Sequence, residues 1–167
     1  MPLYSIGHSN VKIEAFLELL RRNGIGALVD ARSRPYSRYN PHFSRDALKR
    51  SLQANGIKYF FLGDRIGGKP SDQSYYREDG RVDYGKLASA AFYFEGIERL
   101  VELGESERVC FMCAEADYKN CHRYWLITRT LLESGIEVKH ILHSGEIIVS
   151  DRSQLADFES AQLSLFA

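Results

Sequence analysis

Five short apolar runs, each of strand length, alternate along the chain with longer stretches of helical periodicity, and this alternation constrains the fold more than any other feature. The runs are Leu3–Gly7, Ala27–Asp30, Tyr59–Leu62, Val109–Cys113 and Val138–Leu142, and they read as strands buried on both faces. Between them lie four helical patterns. The first carries Ile13, Phe16, Leu17, Leu19 and Leu20 and closes at Asn23-Gly24; the second opens at Ser44 and leads to Asn55-Gly56. The third is expected from near Tyr84 to Leu103, ending at Gly104, and the fourth from about Cys121 to Glu133, ending at Ser134-Gly135, each stopped by a residue suited to a helix C-terminus.

Strand and helix repeated four times, followed by a fifth strand, imply parallel pairing with right-handed crossovers. The expectation is an α/β fold: a single Rossmann-like domain over 1–150, with a mostly parallel open sheet of about five strands and helices on both faces. His143-Ser144-Gly145-Glu146 predicts a turn into a short C-terminal hairpin strand, Ile147–Val149. Residues 151–167 read as a weak helix and tail. A length of 167 residues supports one full core. Two irregular stretches, 33–43 and 64–82, are long for such a domain, and long loops usually carry function.

No apolar run approaches the length of a membrane span, and the N-terminus lacks the basic and apolar parts of a secretory signal. The three cysteines, Cys110, Cys113 and Cys121, fall within twelve residues. That fits reduced thiols better than a disulfide framework, so a cytoplasmic protein with no membrane partner is expected.

In an open parallel sheet, ligands gather outside the carboxyl ends of the strands. There the chain offers His8 and Ser9 after the first strand, Asp30, Arg32 and Arg34 after the second, and Cys113, Glu115, Cys121, His122 and Arg123 after the fourth. A thiol at a helix N-terminus beside a histidine and an arginine is expected to be acidified, which makes Cys121 a candidate nucleophile or redox thiol. Glu115 and Asp30 are candidate proton carriers or divalent-metal ligands, and Arg123 a bidentate anion grip. Cys110 and Cys113, spaced C-x-x-C, offer zinc-type ligands together with Cys121 and His122. Residues three apart on a strand face opposite ways, however, so Cys110 is read as core and no metal site is assigned.

Residues 32–50 hold six basic residues, among them Arg32, Arg34 and Arg38, against one acid, Asp46. Tyr36, Tyr39 and Phe43 interleave with them, a pattern that suits phosphates on cations and bases on aromatic faces. Gly67-Gly68-Lys69 lacks the spacing of a phosphate-binding P-loop, and no G-x-G-x-x-G follows the first strand. No cofactor is named by these residues.

The C-terminal Gln162-Leu163-Ser164-Leu165-Phe166 resembles the bacterial sliding-clamp-binding pentapeptide. Leu163, Leu165 and Phe166 would be the apolar anchors and Gln162 would set the register.

Taken together, Gly7-His8-Ser9, Asp30-x-Arg32 with Pro35 and Arg38, and Cys113-x-Glu115 with Cys121-His122-Arg123 resemble the domain-of-unknown-function family 488. The resemblance runs to about residue 150. It implies the Rossmann-like α/β domain and these site positions, without supplying a reaction.

The resulting expectation is a DNA-associated enzyme of repair or nucleotide processing, a hydrolase or transferase recruited by the clamp. Two other classes compete with it: a non-enzymatic nucleic-acid or nucleotide binding module with structural or redox thiols, and an enzyme acting on a small anionic metabolite. A formal net charge of zero argues against indiscriminate adhesion to DNA.

Overall fold

The computed structural model describes residues 1–166, with side chains through residue 162. Its strands are β1 (Leu3–Gly7), β2 (Ala27–Asp30), β3 (Lys58–Phe61), β4 (Val109–Cys113), β5 (Val138–Ile141) and β6 (Ile147–Ser150). The strands lie in the order β3-β2-β4-β1-β5-β6. Adjacent strands from β3 through β5 pair in parallel, and β6 returns antiparallel on β5. The α/β reading therefore holds, with the predicted hairpin strand as the sixth.

β1, β2 and β4 are buried at every position, the exposure expected of uninterrupted apolar runs covered on both faces. Alternation along each strand sorts side chains into two layers. Ile6, Leu28, Cys110 and Met112 pack with Phe16 and Leu20 of α1 (Ile13–Arg22) and Leu48 and Leu52 of α2 (Arg45–Ala54). Val29 and Phe111 face the other way. They meet Tyr93, Ile97 and Leu100 of the long helix Ala91–Ser106, together with Leu126 and Ile127. Leu20, Leu28, Leu48 and Leu52 are completely buried, each stabilising the fold by roughly 1.5–3 kcal/mol.

The helices depart from the sequence expectation in two places. The third pattern is divided into α4 (Tyr84–Ala88) and α5 (Ala91–Ser106), following α3, a single turn at Gly63–Ile66. Ala90 takes an extended conformation between them. Gly104 does not end α5: a Cβ there would lie 2.5 Å from the Leu3 side chain, so this glycine lets the helix approach β1 rather than stopping it. The fourth pattern begins as a π-helix, Arg123–Thr128, and continues as α6, Arg129–Glu133. Thr128 donates its hydroxyl to the Arg123 carbonyl at 2.7 Å, five residues back, which suits the wider coil.

A last helix, α7 (Leu155–Phe166), is pinned by Phe158 against Tyr124 and Leu132. Among the described residues, no helix is long and apolar enough to cross a membrane.

Candidate functional site

Because β4 lies between β2 and β1, three chemically loaded strand ends become neighbours. The pairing continues past the strands: His8 donates its backbone N–H to the Cys113 carbonyl at 3.0 Å, Ser9 to Ala114 at 2.8 Å, and Ala31 to Met112 at 2.9 Å. Ser9 adopts a left-handed conformation, φ 47°, uncommon for a residue with a side chain. Gly7 is required by the same closure, since a Cβ there would sit 1.7 Å from the Glu115 carbonyl oxygen.

On the β2 side, Asp30 is fully buried. Its carboxylate accepts from Arg32 Nε at 2.9 Å and Nη2 at 2.8 Å, and from the Tyr59 hydroxyl at 2.7 Å. Arg32 Nη1 lies 3.2 Å from His8 Nε2, while His8 Nδ1 donates to the Ser9 carbonyl at 2.8 Å. That fixes the tautomer with Nε2 as acceptor. Burial, opposed in part by the bond to Ser9, lowers the His8 pKa to about 4, so the ring is neutral. The Asp30 expectation is corrected here. Both carboxylate oxygens are taken by Arg32 and Tyr59, leaving Asp30 to position Arg32 and His8 rather than to carry protons or hold a metal. Removing one partner of such a buried pair typically costs about 3–5 kcal/mol.

On the β4 side, Cys113 and Cys121 meet with their sulfurs 2.6 Å apart. Cys113 lies at the strand end. Cys121 is extended and precedes the π-helix, its sulfur receiving the Arg123 backbone N–H at 3.4 Å. Burial opposes ionisation of Cys113, but the hydrogen bond with Cys121 and the nearby Arg123 charge outweigh it and lower its pKa. Cys121, hydrogen-bonded to Cys113 and itself buried, is pushed up. Cys110 faces the opposite layer and is buried, as expected.

His122 is placed by its Nε2–H, which donates to the Ala31 carbonyl at 3.1 Å. Its Nδ1 is left to accept and lies 3.6 Å from Cys121 Sγ, within reach of a sulfur hydrogen bond. Burial lowers its pKa to about 4. Glu115 is exposed, yet its carboxylate and the two sulfurs lie within 4.8 Å of one another.

Arg123 differs from the expected anion grip. It is 1% exposed, with Nη2 donating to the carbonyls of Glu115 at 3.0 Å and Ala116 at 3.3 Å and Nη1 to Ser5 Oγ at 3.5 Å. These donors are engaged inside the fold, so Arg123 pins the loop after β4. Behind it, Ser5 Oγ lies 2.6 Å from His140 Nδ1, and His140 Nε2 lies 3.0 Å from Ser150 Oγ.

Two contributors have no signal in the sequence read alone. Gly67 and Gly68 are packing glycines: a Cβ on Gly68 would lie 2.6 Å from the His122 ring, and one on Gly67 2.3 Å from Ser33 Oγ. The 64–82 stretch therefore begins as a cover over His122. Tyr84 is the second. Its pKa is raised to about 12, first by burial and then by the charges of Cys121, Glu115 and Cys113.

Other expected residues stay apart. Arg34 and Arg38 are exposed on the loop after β2 with Tyr36 and Tyr39, which are 72% and 86% exposed. Phe43 is buried, stacked on His8 with centroids 4.5 Å apart. Gln162 is exposed and accepts from Arg129 Nη2 at 3.2 Å. The side chains of Leu163, Leu165 and Phe166, the anchors of the clamp-like peptide, lie outside the described residues.

The fold and site define a class: α/β proteins with a mostly parallel sheet that gather a dithiol, a carboxylate and a buried arginine–histidine pair at adjacent strand ends. Within that class the chain belongs to the family described as Domain of unknown function DUF488, whose model matches residues 12–130. The match includes Asp30, Arg32, Cys113, Glu115, Cys121, His122 and Arg123 and leaves His8 and Ser9 just outside it. Neither the curated proteins nor the solved structures contain a match to the chain.

Proposed function

We propose that the protein is an enzyme acting on a phosphate-bearing ligand, nucleic acid or nucleotide, with Cys113, Glu115 and Cys121 as its reaction centre. On this reading the sheet is a Rossmann-like scaffold, and the C-terminal pentapeptide delivers the enzyme to DNA through the sliding clamp. The observation that carries the proposal is the convergence of the two sulfurs and the carboxylate within 4.8 Å at the carboxyl end of β4 and in the loop that follows it, on the rim where such sheets place their ligands. With Asp30 held by Arg32 and Tyr59, a hard-metal pair of Asp30 and Glu115 drops out, and sulfur is left at the centre of a hydrolase or transferase site. The exposed Arg34 and Arg38 supply the anion grip; the buried Arg32 and Arg123 hold the frame.

The test is turnover of phosphodiester and nucleotide substrates by the full chain and by Cys113→Ala and Glu115→Gln. Both substitutions should cut turnover by at least about 100-fold while leaving ligand affinity within a few-fold. Arg34→Ala with Arg38→Ala should do the reverse and flatten the salt dependence of binding, by about one unit of slope for each phosphate no longer neutralised. Undiminished turnover in Cys113→Ala would sink the proposal.

One observation favours a second reading, a binding module with structural thiols: Cys113 and Cys121 are only 1% and 5% exposed. Salt-dependent nucleic-acid binding with no turnover on any phosphate ester would establish it. Salt-insensitive binding of a small anion would point instead to a metabolite enzyme.

A further inference from the structure

We infer that Cys113, Cys121 and Glu115 form a binding site for a soft divalent cation of the zinc type, with His122 beside it. The inference rests on the reading that this crevice is the reaction centre, and it specifies what the sulfurs do there.

Four observations converge. First, among the described residues these three side chains are a group of metal-ligating atoms mutually within 4.8 Å. Two thiolates and a carboxylate with one position left over is the donor set of an open zinc site rather than a closed structural one. Second, His122 is oriented as metal-site histidines are: its Nε2–H is tied to the Ala31 carbonyl at 3.1 Å, and its Nδ1 lone pair stands 3.6 Å from Cys121 Sγ. A backbone carbonyl on the far nitrogen is the usual device for aiming the near one at an ion or its bound water.

Third, the charges call for a cation of this valence. Arg123 is 1% exposed, its Nε has no partner, and no carboxylate among the described residues lies within ion-pair distance of it. With both thiols deprotonated on binding, the two sulfurs and Glu115 would carry three negative charges. A divalent ion leaves a net charge of minus one, which Arg123 neutralises. The two sulfurs stand 2.6 Å apart. Around a tetrahedral ion at about 2.3 Å from each, they would separate to about 3.8 Å, a displacement of about 1 Å. Fourth, access is one-sided. The sulfurs are buried and Glu115 is exposed, so an ion enters past the carboxylate and its open position faces the same way.

The pair Cys110 and Cys113 is not the site, because the two face opposite layers of the sheet. The zinc-type ligands are assembled instead by the loop that carries Cys121 back over the end of β4.

The test uses the full chain, reduced and freed of metal, titrated with Co²⁺ and then Zn²⁺. The expected result is about one equivalent of Co²⁺ with the intense near-ultraviolet sulfur-to-cobalt band and the visible bands of a tetrahedral ion, displaced by Zn²⁺. Cys113→Ser and Cys121→Ser should lose the sulfur band or weaken it in proportion to the missing thiolate. Glu115→Gln, on an exposed side chain that folding does not depend on, should keep the fold and weaken binding by at least about tenfold. Cys110→Ala should bind as the parent does. A pale octahedral spectrum, no binding, or full affinity in Glu115→Gln with the parent spectrum would overturn the site. Turnover that survives in metal-free protein, yet is lost in Cys113→Ala, would overturn the ion while leaving the reaction centre standing.

Discussion

His8, His122 and His140 are neutral within the fold for one shared reason, burial without a carboxylate partner. Their pKa values are lowered to about 4, about 4 and about 3 from 6.5. The sign of the pH dependence follows. The unfolded chain binds protons below its histidine pKa that the folded chain refuses, so stability is full above about pH 6.5 and is lost as pH falls towards about 4. Each unit is worth about 1.4 kcal/mol, and the three together contribute several kcal/mol. Urea midpoints should already fall between pH 6.5 and about 5.5, above the range in which carboxylates titrate; a flat midpoint there would refute the linkage. The residues in this network were legible in the sequence as types and positions: Asp30, Arg32 and the Cys113 to Arg123 cluster all lie at the site. Their roles were not. Whether Arg123 faces a ligand or the carbonyls of Glu115 and Ala116 depends on the path of the loop after β4, which no local pattern encodes.

Elements were legible where a short-range rule decides them. α1, α2 and the β5–β6 hairpin fall where periodicity and turn residues put them, because Gly24, Gly56 and Gly145 hold φ of +65°, +71° and +89°, conformations that favour glycine. The same residue type misleads where its role is contact. Gly104 and Gly96 lie inside α5, and a Cβ on Gly96 would meet Arg65 and Ile66 at 2.7 Å. The π-helix is another case: its coil is stabilised by the Thr128 hydroxyl on the Arg123 carbonyl and by Tyr93, which reaches the Leu126 carbonyl at 3.2 Å from another helix. The Gly67-Gly68 turn yields the sharpest prediction at this scale. Gly68→Ala should push His122 off the Ala31 carbonyl, destabilise the protein by about 1–3 kcal/mol, and speed alkylation of Cys121 by loosening the cover. Unchanged stability and unchanged alkylation would mean that 64–82 does not sit on the site.

At the scale of the molecule, a net charge of zero conceals opposed regions. Residues 32–50 carry +5, whereas 95–117 hold seven acids against Arg99 and Arg108. The neutral total leaves little long-range attraction to DNA at physiological salt, where charges beyond about 8 Å are screened. A recruiting peptide suits such a protein. Ending the chain at Ala161 should abolish binding to a bacterial sliding clamp in surface-plasmon measurements while leaving the unfolding transition of the domain intact, because Phe158, the buried anchor of α7, is retained. Equal clamp binding by both lengths, or none by either, would remove the tail from the proposal.

Local pattern is enough to set the alternation of strand and helix, and with it the parallel sheet, its two covered faces and the rim on which the polar residues fall. These follow from periodicities of two and 3.6 residues, which are properties of neighbouring positions. Strand order is not such a property. Threading β4 between β1 and β2 brings Cys113 between His8 and Asp30, turns Cys121 onto Cys113, and closes Arg123 inside. That order is fixed by contacts between strands far apart in the chain, so the difference between a row of loaded strand ends and one assembled site belongs to the tertiary structure alone.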